Sequence, residues 1–577
     1  MTRRFFPKAG LMAATALCSV ATAAGPALAD DTSSQISSIE KQIRSLEGQL
    51  NHMKRDMSAR NEEVKAARQE AATASRQARE AEERGSPIRY DADGHPLAPP
   101  PLSAPPGYAS YAGSGGSPYM NVAGYPSYVP SGPKLKQGQF QLGGVRVTLG
   151  GFIEAAGIYR SRNETADIAS SFNSGIPYPQ SPNYHQDEFR GSARQSRLSL
   201  LAEGSPDDHT LLTAYYETDF NSAGVTSNSN ESNSYTLRTR QLFAQYGRKD
   251  LDFYVLGGQA WSLLTMSKAG MAGRSEDLPS VIDAQYVPGF VWTRNVGVRI
   301  IKGFDHDKYD LGVSFESPET SYSQVGTPSK GVTIDSTNVG TNGGGSTLNS
   351  LANYSTEVAP DVIAKFTADP GWGHYEVFGL ARFMHDRTST IGNGNNHTVL
   401  AGGGGAGMTL PLIPKRLDFR ASVLAGQGIG RYGSAQLADA TIARNGGPQP
   451  LPEVIALAGL TFHATKALDL YSYVGTEQIT HREAYNVGST GYGYGSPLYS
   501  NAGCETELST GTCTANTKGI VQGTVGAWWK FLKGDYGTMQ TGVQYSYTYK
   551  SVFSGVGGAP STDENIVMLS FRYYPFQ

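Results

Sequence analysis

The residues of this chain that could do chemistry are arginines and acids set at strand spacing. Arg190, Arg194, Arg197, Arg238, Arg240, Arg294, Arg299 and Arg382 occur in stretches that alternate apolar with polar residues. Glu217 and Asp219 lie two apart, on one face of such a stretch. Glu276, Asp277 and Asp283 share one intervening segment with Lys268 and Arg274. Groups of both signs can bind and orient charged or dipolar solutes. They offer no nucleophile with a positioned base. The ten histidines are scattered without paired spacing. Gly402-Gly403-Gly404-Gly405 lacks the Lys-Ser/Thr of a phosphate loop, and in a strand-like run Gly admits a close neighbour instead. The pattern points to a filter and away from an enzyme, and no cofactor or metal centre is expected.

Cys504 and Cys513 lie in a Gly/Ser/Thr-rich segment. In an oxidising compartment the reading is a loop disulfide, with two free thiols as the alternative. The N-terminus supplies that compartment. Arg3, Arg4 and Lys8 precede an apolar run over 9–24, and Ala27-Leu28-Ala29 offers a small-x-small cleavage site. Residues 1–29 read as a secretory signal peptide. Leu17 before Cys18 argues against a lipoprotein site.

Three unlike parts follow. Over 33–84, Ile36, Ile39, Ile43, Leu46, Leu50, Met53, Met57, Arg60 and Val64 fall at alternating steps of three and four, continued by alanines to Ala81, with Arg60 the only polar seam residue. A helix with this seam cannot bury it alone. An α-helical coiled coil, leaning toward three strands, is expected, with a single amphipathic helix as the alternative. Residues 86–140 hold eleven prolines and six tyrosines and read as an extended linker.

From 145 to 577 the chain alternates with period two. Leu212, Ala214 and Tyr216 share one face, and Thr213, Tyr215, Glu217 and Asp219 the other. We count sixteen such segments. Their connections alternate short (204–208, 248–250, 303–307, 369–372, 412–415, 464–466, 532–535) and long (161–187, 221–234, 261–288, 318–356, 388–396, 429–452, 481–517, 549–562). That segregation predicts an all-β fold, a 16-stranded antiparallel transmembrane β-barrel preceded by the coiled coil. Gly 69 and Tyr 32 in 577 residues, with 17% charged, fit it. No run of about 20 apolar residues occurs after the signal, which excludes a polytopic helical membrane protein. Aromatics near strand ends, among them Phe152, Tyr159, Tyr246, Tyr254, Phe290, Trp528, Trp529 and Tyr545, are expected to form interfacial girdles.

The ending Arg572-Tyr573-Tyr574-Pro575-Phe576-Gln577 resembles the terminal strand of outer-membrane barrels, except that Gln follows the Phe. Ala193-Arg194-Gln195-Ser196-Arg197-Leu198, Gly258–Thr265 and Asp283–Arg294 resemble trimeric porins that carry an N-terminal coiled coil, the DcaP-like group. The resemblance covers the coiled coil and the first half of the barrel. It implies a homotrimeric diffusion channel for small hydrophilic solutes, some members favouring anions such as dicarboxylates.

In such a channel the long segment 261–288 folds inward, and Glu276, Asp277 and Asp283 face wall arginines across a constriction. An ordinary extracellular loop is the alternative. An Arg facing lipid at mid-membrane costs about 2–4 kcal/mol, so most of the arginines should face the lumen or an interface. Arg197 is preferred over Arg194 for the lumen. Arg238 and Arg240 conflict in parity with Phe243, which leaves their facing open. The expected setting is a bacterial outer membrane with the coiled coil in the periplasm. Expected partners are membrane lipid, copies of the chain, small solutes and, through the coiled coil, peptidoglycan, with no nucleic acid. A second reading is a structural tether, with the barrel anchoring a cell-wall-contacting coiled coil.

Overall fold

Alternation decides the wall. A computed structural model describes residues 135–222, 235–323, 332–333 and 357–577. The expected signal peptide, the coiled coil and all but the end of the linker lie outside the described residues. The barrel strands are β1 (Val145–Arg160), β2 in two pieces (Glu188–Ser192 and Arg197–Gly204), β3 (Thr210–Asp219), β4 (Arg238–Arg248), β5 (Phe253–Trp261), β6 (Arg294–Phe304), β7 (Tyr309–Glu316) and β8 (Asp361–Ala368). They continue as β9 (His374–Thr390), β10 (Asn393–Ile413), β11 (Leu417–Gln427), β12 (Pro452–His463), β13 (Leu468–Ile479), β14 (Thr517–Gly534), β15 (Gly537–Val552) and β16 (Ser561–Tyr574).

Each pairs antiparallel with the next, and β16 returns to β1 through Ile153↔Tyr573 to Arg160↔Ile566. The described residues thus form a closed 16-stranded antiparallel barrel without an α-helix. Closure leaves no edge strand.

On β3, Leu212, Ala214 and Tyr216 are exposed on the outer wall, while Tyr215, Glu217 and Asp219 are buried inside. On β16, Val567, Leu569 and Phe571 are exposed, and Met568, Ser570 and Arg572 are buried. The same apolar outer face recurs on β6, β13 and β14. A continuous apolar exterior around a charged interior suits a lipid surround, not water.

Two expectations are corrected. Segment 388–396 is not a long loop: β9 and β10 pair as far as Thr390↔Asn393, around a turn at Ile391-Gly392. And Phe152, Tyr254, Phe290 and Trp528 are not girdle residues but are buried inside the barrel, whereas Tyr159, Tyr246, Trp529 and Tyr545 do lie exposed outside. At the strand positions parity alone separates inside from outside, and aromatic content does not; Phe290 lies on the connection between β5 and β6.

Candidate functional site: a loop across the lumen

The third long connection, 262–293, leaves β5 at Trp261 and packs inside the barrel. Its early part is held by polar groups of β6–β9. Glu316 accepts from Leu263 N at 2.8 Å, Lys365 Nζ donates to Thr265 O at 2.9 Å, Glu376 accepts from Ser267 N at 3.1 Å, and Arg299 donates to Met271 O at 3.0 Å. Its later part reaches a different wall. Tyr473 Oη accepts from Ser280 N, Trp528 Nε1 donates to Ser280 O, Gln544 accepts from Ile282 N, and Glu477 accepts from Gly289 N, all between 2.6 and 3.1 Å. A loop tied to both walls crosses the lumen.

Apolar packing supports the crossing. Leu278, Val281, Ile282, Tyr286, Val287 and Phe290 join one buried cluster with Trp261, Tyr473 and Trp528. Gly289 permits a close approach to the wall. Its φ is +94°, and a Cβ there would lie 2.0 Å from Ala456 O.

The wall arginines are largely neutralised by neighbouring strands. Arg238 and Arg240 both reach Asp219, at 2.7 and 2.8 Å, and Arg240 Nε lies 2.6 Å from Glu217. Arg197 lies 3.7 Å from Glu217. A bulge between Glu217 and Thr218 explains how Arg240 faces inward although Leu242 faces out: the β3–β4 register skips Arg240. Arg382 is 2.9 Å from Asp439 and 3.2 Å from Asp361. Arg299 donates to the carbonyls of Met271 and Trp261. Arg294 stands apart: its guanidinium lies 4.6 Å from the Trp261 ring centre, Nη1 has no hydrogen-bond partner, and its charged neighbours include Arg240 and Arg238.

The loop acids are buried. Asp277 is 2.9 Å from Arg420 of β11 and accepts from Thr409. Glu276 is 7% exposed, with Arg299 among the cations near it. Asp283 accepts from Ser170 N of the first loop (161–187) and from Gln285 N, and its burial pushes the carboxyl up to about 6. Of the charged residues singled out from the sequence in this region, the cations Lys268, Arg238, Arg274 and Arg294 are half-buried, whereas the half-buried acid at the loop is Asp369, which accepts from Gly270 N.

Sequence reasoning singled out the loop acids but missed most of what holds the loop: Glu316, Lys365, Glu376, Arg420 and Glu477. Each shares the inward parity of its strand, so alternation carried a signal for them. What it lacked was the cross-lumen partner. Cys504 and Cys513 are joined as a disulfide within the long loop after β13.

No protein-family model and no curated protein matches the chain. Among solved structures, the outer membrane channel DcaP of Acinetobacter baumannii is similar over 76% of this chain and 100% of that one, at 17% identity and a TM-score of 0.52. The anion-selective porin from Comamonas acidovorans aligns over 74% of this chain and 99% of that one, at 9% identity and a TM-score of 0.41. The first likeness extends over the whole of that channel: the chain has the fold of the DcaP outer-membrane channel.

Proposed function

We propose that the chain is an outer-membrane porin, a diffusion channel for small hydrophilic solutes with a preference for anions. A closed barrel with an apolar exterior and a charged interior supports the channel reading. Permeation through it needs no catalysis, only a lumen whose charges filter. On this reading the short turns face the periplasm, where the expected coiled coil 33–84 joins three copies.

One observation carries the anion preference. Around the third loop, the acids Glu217, Asp219, Glu276, Asp277 and Asp283 are buried, whereas Lys268, Arg238, Arg274 and Arg294 keep part of their surface open. A solute at the third loop meets these open cations, and Arg294 Nη1 has no hydrogen-bond partner. Reversal potentials across a bilayer in a salt gradient test this. An anion-selective potential is expected, and clear cation selectivity refutes the preference.

A further inference from the structure

We propose that Glu164 and Glu564 form a binding site for a calcium-sized divalent cation that ties the first loop to β16. Glu564 projects inward from β16 and is fully buried. Neither of its carboxylate oxygens meets a hydrogen-bond donor among the described residues. Glu164, on the first loop, is 6% exposed, and its Oε1 is also without a donor. The two carboxyls are neighbours that repel each other.

The cations nearby are shared with other acceptors. Arg160 Nη1 lies 2.8 Å from Glu188, and Nη2 donates to Asp167 O at 2.7 Å. Arg160 Nε reaches only Glu164 Oε2, at 3.4 Å, which also accepts from Ser171 N. Lys550 Nζ donates to Asn173 O. Glu164 therefore spends one oxygen on Arg160, and that single guanidinium is shared among Glu164, Glu188 and Glu564, so the acids outnumber the cation that serves them.

Two carboxylates so close cannot both ionise without a counter-charge, and a buried lone carboxylate is costly. A hard divalent cation resolves both, because it takes oxygen ligands from carboxylates, carbonyls, hydroxyls and water in a flexible shell. Such a cation would also steady the lumen loop, since the first loop binds the third through Ser170 N to Asp283 and Ala284 N to Ile168 O. The inference rests on this geometry and stands apart from the porin reading. A proton shared by the pair is the competing occupant.

The test uses the full chain in detergent, stripped with EDTA and titrated with calcium by calorimetry. One site per chain is expected. Glu564→Gln and Glu164→Gln should each weaken it at least tenfold while unheated gel migration shows the barrel intact. Calcium should raise the unfolding temperature of the parent protein and leave that of either variant unchanged. No calcium binding by the parent up to about 10 mM, beyond the weakest extracellular sites, overturns the proposal and leaves the shared proton. Binding unchanged in both variants overturns it equally. If a variant fails to fold, the parent decides: cleavage of the first loop by protease should slow in calcium, and indifference to calcium refutes the site.

Discussion

Arg420 on β11 reaches into the lumen and holds Asp277 of the third loop at 2.9 Å. Both groups are buried, so neither can turn to water when the other is lost. Removing one member of a buried pair costs about 3–5 kcal/mol, because the survivor stays charged and unmatched. Arg420→Ala or Asp277→Ala should therefore loosen the loop on its β11 side. Single-channel recordings should show larger and noisier conductance than the parent, with the double variant milder than the sum of the two.

Arg294 has aromatic neighbours and, among the described residues, no acid within salt-bridge distance. Arg294→Ala should leave folding unaffected, since no partner is orphaned, and should lower anion preference. Arg294→Glu should lower it further or reverse it. Zero-current potentials in a salt gradient measure both. Arg240→Ala is the contrast: it removes the buried cation shared by Glu217 and Asp219, leaving them only Arg197 and Arg238, and loss of heat-resistant folding should dominate.

Asp283 carries a pH dependence. Burial raises its carboxyl from 3.8 to about 6. Between those values the unfolded chain has lost the proton and the folded chain keeps it. The stability tied to that proton is complete below pH 3.8 and is lost as pH rises through about 6. Asp283→Asn should flatten this part of the unfolding-temperature profile and exceed the parent at pH 7. An unchanged profile would remove Asp283 as its source.

The heptad over 33–84 makes its own prediction. Deleting those residues should leave an intact barrel with unchanged unit conductance. It should weaken subunit association, seen as monomers on mild-detergent gels and single instead of threefold conductance steps. Trimers of unchanged heat resistance would assign association to the barrel alone.

Much of the wall was legible because alternation is local. Glu217 and Asp219 on β3 and Arg197 on β2 face inward, as their parity demands. The resemblance runs also map onto built features. Ala193–Ser196 is the break in β2, Gly258–Thr265 the root of the lumen loop, and Asp283–Arg294 its return to β6. Arg240 was not legible, because a bulge resets parity and leaves no mark in the composition. Nor was the turn at Ile391-Gly392. The polar run around it reads as loop, yet its backbone continues the ladder, so cross-strand pairing overrides weak strand propensity. The loop's anchors were hidden for a third reason. Gly289 and Glu477 are 188 residues apart in sequence, and only closure of the barrel brings them together.

That same β9–β10 hairpin has a consequence for the cell surface. β10 runs for 21 residues, where a membrane crossing takes about 9–11. The excess stands beyond the bilayer as a paired, stiff mast with Ile391 fully exposed at its tip. On the proposed orientation, an antibody or phage arriving from outside would meet this mast before it met the pore. Variation at its tip could change what recognises the cell while leaving what passes through it untouched.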